Sequence, residues 1–252
     1  MKFLIQKEYQ TEVVVTLKRA QDYHAWKNDG NNTFEIFECE NDFSCSYMFT
    51  DFIEKYPKEW CPIGSVQFVH NYYKKYFGIE LKPINVPKEL FPFAGRNIEN
   101  FNLPLISKIY PNENIFVKSN DIEKWNGNGV YNFLDTLDDK FPNGNYQISE
   151  LVDIISEYRG FVYQGNLLSF HYYLGDKWSF PSKNVFEDMI KSYINCPTCY
   201  TLDIAIINKN GRPETCVLEV HDFYACGLYG FQDLARLPFM YWRSHLDKIN
   251  KL

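Results

Sequence analysis

The sequence lacks any run of about 18 consecutive apolar residues, so no segment reads as a transmembrane helix. Its N-terminus, Met1-Lys2-Phe3-Leu4-Ile5-Gln6-Lys7, has an apolar run too short for the hydrophobic stretch of a secretory leader and reads instead as a first strand. There is no block of Lys or Arg. With 26 basic and 32 acidic side chains the formal net charge is −6, which disfavours a generic nucleic-acid binder and leaves room only for a local basic pocket. No Ser/His/Asp or Cys/His arrangement for nucleophilic catalysis is recognisable. The seven cysteines are an odd number, scattered at positions 39, 45, 61, 196, 199, 216 and 226. Without a leader, the simplest account is free thiols in a reducing cytoplasm.

What is present suits a folded protein. The 252 residues are 45% hydrophobic and 23% charged, which excludes wholesale disorder and allows one or two domains with a sizeable core. Aromatics reach 18%, read first as core packing rather than a dedicated stacking surface. Cys196-Pro197-Thr198-Cys199 has the spacing of a redox or metal motif. It follows a helix-like run instead of opening a helix, and no second pair of matching spacing exists, so a structural or incidental role is expected.

Along the chain, Lys2–Ile5 reads as a strand, whereas Thr11–Trp26 mixes a Val-Val-Val run with helix formers and stays ambiguous. Asn28-Asp29-Gly30-Asn31-Asn32 is a turn signal, and Thr33–Glu38 alternates like a strand. Val66–Tyr76 is expected to be a helix capped by Ser65 and ending near Gly78. Pro83, Pro87, Pro92 and Pro104 suggest a surface connector, placing a domain boundary near residue 105. Beyond it, Ile115–Val117 and Gln147–Val152 read as strands. Glu157–Tyr163 and Leu167–Tyr173 flank the turn Gln164-Gly165-Asn166, while Tyr200–Ile207 and Thr215–Val220 flank Asn208-Lys209-Asn210-Gly211, giving two hairpins. Lys183–Ile194 has helical spacing, and Phe231–Ile249 reads as a closing helix despite Pro238. Antiparallel hairpins mixed with helices point to an α+β fold.

Three clusters carry chemistry. Lys118 closes a strand, and Lys124 follows in a Gly-containing loop; two ammonium groups there could hold phosphate oxygens, or could simply be solvated. Glu157 and Arg159 share one strand face, as a surface ion pair or as readers of ribose hydroxyls and phosphate. Asp203 and Glu219 sit in otherwise apolar neighbouring strands. Carboxylates so placed need pairing or a metal, and two or three of them beside phosphates are the usual holder of Mg²⁺. Of the histidines, His24, His70 and His245 read as surface or core fillers, and His171 lies in a hairpin strand whose facing the sequence leaves open, with a substrate contact as the minority reading.

Taken in order, these residues resemble the ATP-grasp superfamily, and within it the R2K clade of phages and bacteria. The resemblance runs from about Trp60 to Tyr229. It includes Cys61-Pro62-Ile63-Gly64-Ser65-Val66-Gln67-Phe68-Val69, Val86-Pro87-Lys88-Glu89-Leu90, Phe116-Val117-Lys118 and Lys124-Trp125-Asn126-Gly127. It continues through Glu157-Tyr158-Arg159-Gly160-Phe161-Val162, Tyr200-Thr201-Leu202-Asp203 and Leu218-Glu219-Val220-His221-Asp222. It implies a pre-ATP-grasp-like α/β domain with a connector over residues 1–105. Residues 106–252 would form an ATP-grasp domain whose two α+β subdomains clamp ATP. Lys118 and Lys124 would contact phosphates, Glu150, Leu151 and Val152 would form the adenine-binding hinge, and Glu157 would hold the ribose. Arg159 would be the catalytic arginine near the acyl-phosphate. Asp203, Glu219 and His221 would bind Mg²⁺, or Mn²⁺, with His221 standing where the family usually has asparagine. The implied activity is an ADP-producing carboxylate–amine ligation, for which a peptide or protein is one class of substrate. The alternative is a nucleotide-binding module of the same fold with weakened catalysis. The implied location is cytoplasmic, in the host if the chain is phage-encoded.

Overall fold

Phe3, Leu4 and Ile5 are fully buried because they form the middle of a parallel sheet covered on both faces. This is seen in a computed structural model that describes residues 1–7, 9, 11–27, 34–39, 53–102, 114–124, 126–131, 141 and 143–250. The chain divides into two compact units. The first comprises Met1–Leu81, Pro197–Tyr200 and Asp222–Leu252; the second comprises Lys82–Cys196 and Thr201–His221.

In the first unit, β1 (Lys2–Gln6) lies between β2 (Glu35–Cys39) and β3 (Trp60–Ile63), all parallel. The ambiguous segment is a helix, α1 (Thr11–Trp26). Its Val13, Leu17, Ala20 and His24 are buried while Val15 is exposed, so a 3.6-residue period governs the valine run. Helix α2 (Val66–Phe77) matches its expected bounds. Ser65 caps it by accepting the Phe68 N–H at 3.2 Å, and Gly78 closes it at φ 67°, a conformation only glycine adopts without cost. The turn expected at 28–32 lies outside the described residues, as do Thr33 and Pro104.

The closing helix is shorter than expected. Helix α4 (Leu237–Ile249; α3 lies in the second unit) starts with Pro238 in its first turn, and residues 231–236 are turns and irregular backbone. Proline has no N–H to give to an earlier carbonyl and its ring collides with the preceding turn, so the helix can begin there but cannot pass through.

His245 of this helix is buried beside Tyr73, whose hydroxyl lies 2.9 Å from Nδ1, and Nε2 faces the Lys58 carbonyl at 3.3 Å. A carbonyl can only accept, so Nε2 carries the proton and Nδ1 accepts from the tyrosine. Burial, assisted by the Lys248 ammonium, pulls the imidazole pKa from 6.5 to about 4. The unfolded chain therefore binds the proton more readily between those values, and stability present above pH ~6.5 is lost as pH falls toward 4, by on the order of 3 kcal/mol. His245→Gln keeps hydrogen-bonding capacity without the titration. Its urea midpoint should fall less steeply than the wild-type midpoint over that range, and superimposable pH profiles would remove His245 as the cause.

The second unit holds two four-stranded sheets. The first has the order β4 (Ile98–Asn102), β7 (Asn145–Glu150), β5 (Ile115–Ser119), β6 (Gly129–Tyr131), antiparallel throughout. The expected connector thus supplies a sheet strand, β4, and a 3₁₀ segment, Lys88–Phe93, with Leu90 buried. Its described prolines fall outside the strand: Pro87 precedes the 3₁₀ segment and Pro92 lies within it. The second sheet has the order β11 (Arg212–Asp222), β10 (Cys199–Lys209), β8 (Ile154–Tyr163), β9 (Asn166–Gly175). Both hairpins turn through two residues of positive φ, Gln164-Gly165 and Asn210-Gly211, as the strand twist favours. Helix α3 (Lys183–Ser192) buries Phe186, Met189 and Ile190. A β-carbon at Gly160 would collide with the Phe186 ring, so that strand position must stay bare.

Among the described residues no helix is long and apolar enough to cross a membrane. Six cysteines are described, and among them there is no disulfide. Burial pushes the Cys199 thiol well above its ordinary pKa, the opposite of a reactive thiolate.

Candidate functional site

Strand alternation builds the site. In β5, Ile115 and Val117 are buried in the sheet core, while Phe116 and Lys118 line a cavity of about 300 Å³. Both sheets of the second unit contribute to it. β7 and the residues after it supply Glu150, Leu151 and Val152. From the other sheet come Glu157 of β8, Tyr173 of β9, Asp203 of β10 and Glu219 of β11.

Ion pairs organise one end. Lys118 Nζ lies 2.5 Å from Glu219 Oε2. Arg159 and Asp203, 7% and 4% exposed, form a bidentate pair: Nε donates to Oδ1 and Nη2 to Oδ2, both at 2.7 Å. His221 Nε2 lies 3.5 Å from Asp203 Oδ2 and 3.4 Å from Glu219 Oε2. Burial disfavours a charged ring here, but the two carboxylates outweigh it and raise the His221 pKa from 6.5 to about 9. Burial likewise opposes charge on Glu219, yet His221 and Lys118 hold its carboxyl well below the ordinary range. Asp203 is also lowered, with the Arg159 hydrogen bonds overcoming burial.

The other end is quieter. Glu150 closes β7, and its carboxylate accepts from the Asn97 backbone N–H at 3.0 Å and from Asn97 Nδ2 at 2.6 Å. Leu151 and Val152 then leave the strand. Glu157 Oε2 accepts the Tyr173 hydroxyl at 2.6 Å.

Of the residues singled out in the sequence, Lys118, Glu150, Leu151, Val152, Glu157, Asp203 and Glu219 line the one cavity. Lys124 is not among them: it is exposed, in the left-handed region at φ 51°. Arg159 is not a lining residue either; its guanidinium is engaged by Asp203. His171 packs edge-on against Phe161 and bonds Ser169 Oγ at 3.0 Å, away from the cavity lining. Among the described residues no three His, Cys, Asp or Glu side chains form a preformed metal cage. The two carboxylates nonetheless fit a hard divalent cation, since both reach one point, the His221 Nε2. His221 Nε2 stands at that point, and its ring would have to give up the proton that the two carboxylates favour before it could coordinate metal.

The sequence reading missed Arg96, Gln147 and Tyr173. Arg96 Nη1 donates to the carbonyls of Ala94 and Val217 at 3.0 and 2.9 Å, tying the segment before β4 to β11. Gln147 pairs with the Val86 backbone in both directions, at 3.0 and 2.9 Å, in the manner of a ladder residue. Neither residue type nor spacing marks these roles.

A family model described as ATP-grasp domain, R2K clade family 2, matches residues 93–237. The chain belongs to this family, and its α+β architecture is the ATP-grasp fold. Among solved structures it is similar to the RimK domain ATP-grasp protein of Sphaerobacter thermophilus, at 8% identity and TM-score 0.53, covering 99% of each chain. It is similar to the D-alanine–D-alanine ligase of Bacillus anthracis, at 12% identity and TM-score 0.51, covering 100% of this chain and 96% of that one. It also resembles the N5-carboxyaminoimidazole synthetase of Staphylococcus aureus complexed with ADP, at 10% identity and TM-score 0.52, covering 98% and 76%. At these identities the likeness is one of fold. No curated protein sequence matches.

Proposed function

We propose that this chain is an ATP-dependent carboxylate–amine ligase that forms ADP and works through an acyl-phosphate. The observation that carries the reading is the convergence on one cavity of Lys118, Asp203 and Glu219 at one end and of Glu157 and the Glu150–Val152 segment at the other. The first end suits phosphates and the second suits a nucleoside. Family membership and fold agree with it.

In this reading a carboxylate oxygen of the donor attacks the γ-phosphorus and ADP leaves. The amine of the acceptor then attacks the acyl carbon and inorganic phosphate departs. Lys118 contacts the phosphate oxygens, Glu157 the ribose hydroxyls, and the backbone of residues 150–152 the base. Asp203 and Glu219 would hold Mg²⁺, which when bound supplies neutralisation of the phosphate charge. Arg159 orients Asp203 through its bidentate pair and keeps both carboxylate oxygens fixed. The protein contributes position and charge, not a nucleophile. The donor or acceptor is a peptide or protein in this proposal, and mixing the protein with ATP, Mg²⁺ and panels of amino acids and peptides tests it by ADP release.

One observation favours a second reading, a nucleotide-binding module with weakened catalysis. His221 stands as a cation between the two carboxylates that a metal would need. ATP binding without ADP release across all acceptors would select it.

Lys118→Ala should weaken binding of a non-hydrolysable ATP analogue by about tenfold or more, since a charge-assisted contact to phosphate is lost. Lys209→Ala should not, because Lys209 ends a hairpin strand in an exposed pair with Glu214 at 3.5 Å. Calorimetric titration decides it, and equal affinities for the two variants would remove Lys118 from the phosphate site.

A further inference from the structure

A β-bulge gives Tyr173 its place. The β8–β9 ladder pairs Glu157 with Leu174 but Tyr158 with Tyr172, so Tyr173 is the extra residue between two pairs. Bulges re-aim a side chain, and here the bulge puts Tyr173 beside Glu157 on the cavity wall. The hydroxyl donates to Glu157 Oε2 at 2.6 Å, and the ring lies 6.0 Å from the Arg159 guanidinium carbon. Burial, then the nearby Asp203 and Glu157, push the phenol well above its ordinary pKa, so the group remains a donor.

A glutamate side chain has three rotatable bonds, and an unheld carboxylate loses that freedom when it meets a ligand. Tyr173 removes part of that loss beforehand, because Oε2 is occupied and the carboxylate plane is set.

We infer that Tyr173 is a positioning residue that holds Glu157 through Oε2 and presents Oε1 to the vicinal hydroxyls of a ribose, so that the pair together selects ribonucleotides. The inference rests on the reading of this cavity as the ATP site.

The test is calorimetric titration of the full chain, as wild type, Tyr173→Phe, Glu157→Gln and the double variant, with ATP and with 2′,3′-dideoxy-ATP. Tyr173→Phe is expected to weaken ATP binding by about 5- to 10-fold, the scale of one oriented hydrogen bond. It should change dideoxy-ATP binding by less than about twofold, and the double variant should lose no more than Glu157→Gln alone, since residues acting through one another are not additive. Phenylalanine fills the same volume, so the melting temperature serves as the control for folding. An equal loss for both nucleotides would make Tyr173 merely structural and overturn the inference, as would an unchanged affinity for ATP. If Tyr173→Phe does not fold, Glu157→Gln decides: loss of discrimination between the two nucleotides supports the pair, and retained discrimination overturns it. Wild type that fails to bind ATP overturns the cavity reading itself, whereas wild type that binds ATP while Tyr173→Phe matches it overturns this inference alone.

Discussion

Glu219→Gln is expected to reduce ADP release by about 1,000-fold or more at saturating ATP and Mg²⁺, with the fold retained. Removing one preorganised charge at a developing phosphoryl transfer has effects of this order. The amide keeps the shape, so packing on β11 survives. It loses the charge that Lys118 and His221 share, at 2.5 and 3.4 Å. One of the two hard oxygens offered to a divalent cation becomes a neutral amide, and raising Mg²⁺ should therefore not restore the rate. Steady-state ADP release and circular dichroism on the same sample separate lost chemistry from lost structure. Turnover equal to wild type would take Glu219 out of the site.

Arg159→Leu is expected to destabilise the protein by about 3–5 kcal/mol, because it strands a carboxylate in the interior. Asp203 would lose both 2.7 Å hydrogen bonds and keep only the longer approach of His221 at 3.5 Å. Arg159→Lys should cost less, though not nothing, since an ammonium cannot reproduce the two-pronged geometry. The double change Arg159→Leu with Asp203→Leu should recover much of the loss, because no unpaired charge remains. Urea denaturation gives these differences directly. A single Arg159→Leu variant within about 1 kcal/mol of wild type would show that water reaches Asp203, since only an exposed pair is worth so little.

These two pairs show what was legible in the sequence. Asp203 and Glu219, which line the cavity, stood out because a carboxylate in an apolar strand violates local logic, and such a violation needs only the neighbouring residues to be seen. The caps of α2 and the two hairpin turns were readable for a similar reason: Ser65, Gly78, Gly165 and Gly211 act within four residues of themselves. Long-range geometry left no such trace. Counting back from the Gln164-Gly165 turn, where Tyr163 pairs with Asn166 and Val162 with Leu167, an unbroken ladder would set Glu157 opposite Tyr172. Two register shifts intervene, so Glu157 stands opposite Leu174 and Tyr173 is the extra residue beside that pair. The strand β4 was hidden by the prolines around it, which describe the loop and not the strand. The C-terminal residues 222–252 belong to the first unit, a return that composition along the chain cannot express. For Lys124 the residue type suited phosphate, but a left-handed backbone in an exposed turn put its side chain elsewhere.

With the His221 pKa near 9, the ring is cationic at neutral pH. Arg96 and Lys118 of the cavity lining, with Arg159 and His221 paired to its carboxylates, then stand against Glu150, Glu157, Asp203 and Glu219. As a set they cancel. An approaching anion therefore meets no long-range attraction from this cleft, only local dipoles that fade within the Debye length of about 10 Å at 0.1 M salt. In the proposed reading, capture of a nucleotide here would proceed by partner exchange: Lys118 would turn from a carboxylate to a phosphate, and the released carboxylate would need a cation of its own. Electroneutrality would then couple the two arrivals, and a polyphosphate entering with its counter-ion would disturb the cleft far less than either alone.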